Sequence, residues 1–115
     1  MTRALRMLCL AATASLASLA RADGECAVTA EEWSRPRSAA MVVALPGVRD
    51  CVRRWQDDAR QRLVLVHRPG EEGGVWAAEL RDWLVALGVP SRQLVLRAVG
   101  TDPERIVLRV ETVVE

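Results

Sequence analysis

His67 is the one histidine of the chain, and imidazole is the side chain best suited to moving protons near neutral pH. No Cys, Asp or second His stands at metal-ligand spacing around it, and the neighbouring Glu71 and Glu72 would make at best a weak metal site. Ser34, Ser38 and Ser91 lack a Gly-x-Ser-x-Gly elbow, and a single histidine is available to activate any of them. The loop Gly70-Glu-Glu-Gly-Gly74 has the glycines of a phosphate cradle, but no Lys-Ser or Lys-Thr follows and two carboxylates repel phosphate. Those carboxylates instead suit the start of a helix, where they complement its dipole. The expectation is a chain that is not an enzyme and uses no metal or cofactor, with His67 bonded to its loop at a strand end.

Cysteine chemistry depends on compartment. Arg3 and Arg6 precede an apolar stretch from Met7 to Leu19, and Ala20-Arg21-Ala22 supplies small residues before Asp23, the pattern of a cleaved secretory signal over residues 1–22. The stretch is shorter than the roughly 20 residues that span a bilayer, and no second one follows, so no membrane span is expected in the mature chain. Cleavage removes Cys9 and leaves Cys26 and Cys51, which in an oxidising periplasm read as one disulfide closing a 25-residue loop. Such a loop is worth about 3 kcal/mol on the chain-entropy model.

The basic residues are all Arg, and after cleavage 13 of them face 15 acids, a net charge of about −2. Nucleic acid loses its usual electrostatic footprint and is excluded as a partner. With half the residues apolar and 27% charged, the chain has the composition of a folded domain.

The elements follow from periodicity. Residues 23–37 read as a polar arm in which Thr29-Ala-Glu-Glu32 caps a short helical turn and Trp33 covers an edge of the core. The domain then occupies residues 38–115. Ser38 to Leu45 reads as a strand, and Pro46-Gly47 as a turn. Val48, Cys51, Val52 and Trp55 mark an amphipathic helix, and Leu63 to Val66 a buried strand. Trp76, Leu80, Trp83, Leu84 and Leu87 form the stripe of a second helix that Gly88 and Pro90 stop, and the seven-residue spacing of the two indoles along that stripe places them in the core rather than in a sugar-stacking platform. Leu94 to Val99 and Arg105 to Val114 are the last strands. The order β-α-β-α-β-β predicts an α+β two-layer sandwich with two helices on one face of a four-stranded mixed sheet. Arg97, Arg105 and Arg109 then share the other face with Val107, a candidate anion-binding or partner-binding surface.

That order, with Leu65-Val-His67 and the helix Ala77-Ala-Glu-Leu-Arg-Asp-Trp-Leu-Val-Ala-Leu-Gly-Val-Pro90, resembles the OmpA-like C-terminal domain of bacterial envelopes over roughly Arg37 to Val110. The family carries a strand ending Gly-His-Thr-Asp and a helix reading Arg-Ala-x-x-Val-x-x-x-Leu-x-x-x-Gly-Val. Its peptidoglycan-binding Asp and Arg fall here at Pro69 and Trp76, so both ligands are missing; Arg68, Glu71 and Glu72 are the nearby residues able to substitute. The resemblance implies a non-catalytic periplasmic module that interacts with an envelope component. The alternative is an accessory subunit docking on an exported secretion or pilus complex.

Overall fold

The computed structural model describes residues 25–58 and 60–113. The expected signal over 1–22 and its cleavage site lie outside the described residues. Strands β1 (Glu25–Thr29), β2 (Gln61–Val66), β3 (Leu94–Arg97) and β4 (Arg105–Thr112) form one mixed sheet in the order β1-β4-β2-β3. β4 runs antiparallel to both of its neighbours, while β2 and β3 are parallel. Helices α1 (Ala30–Trp33), α2 (Ala39–Ala44), α3 (Pro46–Asp57) and α4 (Glu71–Ala86) complete an α+β fold.

The first strand lies earlier than the sequence suggested. Ser38 to Leu45 is not a strand: Ser38 Oγ accepts a hydrogen bond from the Met41 N–H at 3.2 Å and starts α2. Ala and Met favour the helix, and Val42 and Leu45, three residues apart, are buried while Met41, Val43 and Ala44 are exposed, a helical rather than an alternating pattern. The sheet takes its first strand from the supposed arm instead. Cys26 and Val28 of β1 turn inward opposite Leu108 and Ile106 of β4. Pro46 is likewise no turn residue; it opens α3, where its missing N–H costs nothing.

The expected cap at Thr29 is present. Its hydroxyl accepts from the Glu32 N–H at 3.1 Å, and the Glu32 carboxylate accepts from the Thr29 N–H at 2.9 Å. Trp33 follows into the core.

The core lies between the helices and one sheet face. Leu63 and Leu65 of β2 and Ile106 and Leu108 of β4 meet Val48, Cys51 and Trp55 of α3 and Leu80 and Leu84 of α4. Cys26 and Cys51 are joined, with Cα atoms 6.1 Å apart, and so tie β1 to the helix above it. At the far end of α4, Gly88 adopts φ +111°, which a residue with a Cβ rarely does, and the Val89 N–H returns to the Leu84 carbonyl at 3.0 Å.

Candidate functional site

The parallel pair β2 and β3 opens into loops at its carboxyl end, the side of an α/β arrangement where ligands commonly sit. His67 follows β2 there. Its N–H donates to the Arg97 carbonyl at 3.0 Å, and its own carbonyl accepts from the Gly100 N–H at 2.8 Å. The loop after β3 is thereby held against the strand end, as expected of a loop-bonded histidine. The ring is 6% exposed, and Nδ1 lies 3.0 Å from the Arg68 carbonyl oxygen. A carbonyl only accepts, so Nδ1 carries a hydrogen in this contact.

Helix α4 closes over the same loop. A Cβ on Gly73 would sit 2.0 Å from the Arg68 carbonyl oxygen, so only glycine permits this approach. Between these elements lies a cleft of about 230 Å³ walled by His67, Arg68, Glu72, Trp76, Asp102 and Arg105. Asp102 and Arg105 are paired at 3.1 Å, and Asp102 also accepts from the Glu104 N–H at 2.8 Å. Arg68 and Glu72 are exposed. The Trp76 Nε1–H is buried without a hydrogen-bond partner, a cost that an acceptor on a ligand would relieve.

No family model, curated protein or solved structure matches the chain. The site therefore rests on its own geometry. Among the described residues no group of three or more His, Cys, Asp or Glu side chains could hold a metal ion. What the cleft offers is two carboxylates, two guanidinium groups, an imidazole and an indole wall, a recognition surface for a small polar group.

Of the residues singled out in sequence, Arg68 and Glu72 line this cleft, while Glu71 stands exposed in the first turn of α4. Arg105 joins them by pairing with Asp102. Arg97 is engaged with Glu111 through two contacts of 2.9 and 3.3 Å. Those hydrogen bonds, and then the charge of the partner, raise the Arg97 pKa; the same guanidinium is the main cause holding the Glu111 carboxyl below its ordinary value. Asp102 and Trp76 are the cleft residues that sequence reasoning missed. Trp76 carried the signal of a core position, and the structure leaves it and Trp83 only partly buried against the core.

Proposed function

We propose that this chain is a non-catalytic, periplasmic interaction module with a divergent OmpA-like fold, and that it engages an envelope component through the His67 cleft. The observation that carries the reading is the position of the cleft, at the end of the His-bearing strand and the start of the helix that finishes in Gly88-Val89. The observed order is β1-α1-α2-α3-β2-α4-β3-β4, with three helices between the first two strands and with β1 lying before Arg37, outside the stretch that carries the resemblance. The bridged cysteines suit an oxidising compartment. No helix among the described residues is long and apolar enough to cross a membrane.

A binding role also fits the chemistry of the walls. The imidazole is buried and tied through Nδ1, and none of the side chains lining the cleft carries a hydroxyl or thiol that it could activate. Recognition of diaminopimelate in the family's manner needs an acid and a guanidinium at positions that hold Pro69 and Trp76. An ammonium or carboxylate entering without its partner would lose several kcal/mol of hydration.

Co-sedimentation of the purified mature protein with sacculi, with diaminopimelate as competitor, is the test, alongside crosslinking in vivo. Envelope association without competition is the expected result. Competable binding that disappears in Arg68→Ala or Glu72→Ala would mean that the family's site has been rebuilt from these two residues. Crosslinks confined to a secretion or pilus component, with no sacculus binding, would favour the accessory-subunit role.

A further inference from the structure

Helix α4 carries a second row of side chains beside the one that enters the core. Glu72, Trp76, Glu79, Trp83 and Ala86 recur at helical spacing, facing Trp33 at the end of α1 and Arg37 from the segment that follows it. Two open clefts result, of about 500 Å³ around Trp76 and about 570 Å³ around Trp83. Arg37 and Glu79 line both, so the two are one groove with its polar centre between two indoles.

That centre is fixed in place. Glu79 Oε2 accepts from Trp33 Nε1–H at 3.3 Å and lies 3.6 Å from Arg37 Nη2. The Arg37 guanidinium stacks 4.8 Å above the Trp33 ring and also donates to the Trp33 carbonyl. A planar donor array and a planar acceptor are thus held side by side before any ligand arrives, which lowers the ordering cost of binding.

The carboxylates of the groove have local partners. Glu79 has Arg37, Asp82 has Arg81 at 3.8 Å, and Glu71 and Glu72 occupy the first turn of α4. The indoles have no such account: each is only partly buried and turns the rest of its surface to the groove. Trp76 and Trp83 are seven residues apart, about 10.5 Å of helical rise, which is the span of two linked pyranose rings. A sugar presents C–H faces that stack on an aromatic ring and hydroxyl edges that pair with a guanidinium and a carboxylate.

We infer that the groove between Trp76 and Trp83 binds a neutral, β-linked glycan strand, one ring on each indole, with Arg37 and Glu79 holding the hydroxyls between them. The excess of carboxylates along the groove excludes acidic polysaccharides. The groove shares Glu72 and Trp76 with the wall of the His67 cleft, but its glycan chemistry does not depend on the envelope reading.

The test is titration of the mature protein with chitotetraose, the β-1,4-linked tetramer of N-acetylglucosamine, and with cellotetraose, followed by tryptophan fluorescence and calorimetry. Saturable binding of at least one tetramer is expected, with Trp83→Ala and Arg37→Ala each weakening it by about tenfold or more. Arg37 is exposed, so its removal leaves the core intact and separates loss of binding from loss of fold. Three results would overturn the proposal: no saturable binding up to about 10 mM of either tetramer, binding unchanged in Arg37→Ala, or tighter capture of polygalacturonate or a basic peptide.

Discussion

Arg97 and Glu111 reach each other across an intervening strand. Arg97 ends β3 opposite Val66, Glu111 lies on β4 opposite Arg62, and β2 runs between them. Between those two registers lies Val64, wholly buried although it alternates with Leu63 and Leu65 and so sits on the sheet face turned away from the helical core. The two-contact ion pair spans this valine, and the aliphatic stems on that face shield it from water.

Because the folded-state pKa of Glu111 is lowered by Arg97, the pair stabilises the protein above the ordinary carboxylate range and loses that contribution as pH falls through the folded value. Glu111→Gln should therefore be less stable than wild type at pH 7, by the small margin of a surface pair. The two proteins should converge in strong acid. Urea midpoints at pH 7 and pH 3 check this; a gap that widened on acidification would contradict it.

Two adjacent glycines of α4 should respond oppositely to the same substitution. Gly74→Ala meets no atom within 4 Å and adds a helix former, so stability should rise by about 0.4 to 1 kcal/mol. Gly73→Ala drives its methyl into the Arg68 carbonyl and should cost about 1 to 3 kcal/mol. Urea unfolding compares them directly, and equal effects would mean that α4 does not close on the loop as described.

Cys26 and Cys51 should yield no free thiol in denatured, alkylated protein prepared under oxidising conditions, read by intact mass. Removing the bridge with Cys51→Ala should cost roughly 2 to 5 kcal/mol. Part of that loss is packing, since Cys51 is fully buried.

Leu80 and Trp83 lie on one helix at different depths. Leu80→Ala should destabilise by roughly 2 to 5 kcal/mol, the cost of a cavity in a closed core. Trp83→Ala should cost less despite the larger truncation, because its ring stands partly at the surface. A larger loss for Trp83→Ala would return its indole to the interior and remove it from the groove.

Periodicity made some elements legible and missed others for definite reasons. Val48, Cys51 and Trp55 repeat over two turns, and α3 is where they place it. Leu63 to Val66 is a branched apolar run bounded by polar residues, and β2 is where it places a strand. The run from Ala39 to Leu45 is equally apolar, but its residue types favour a helix and Ser38 supplies the cap. β1 has only five residues, and its alternation of Cys26 and Val28 with Ala27 and Thr29 is too short to stand out. The cleft was half legible. Arg68 and Glu72 adjoin His67 in sequence, whereas Asp102 arrives through the loop that Gly100 docks on the His67 carbonyl, a contact that no local pattern announces.

The placement of β1 beside β4 sets the order of assembly. Val28 pairs with Ile106, so the first strand of the sheet in chain order has its partner in the last. A contact separated by most of the chain carries a high loop-closure cost and forms late. Until β4 emerges, β1 has no neighbour in the sheet, and its exposed edge is open to pairing with another chain. Cys51 is available far sooner than Ile106, and the bridge from Cys26 anchors the waiting strand to α3 in the meantime. Without that bridge, β1 has no covalent tether to α3 before it pairs with β4.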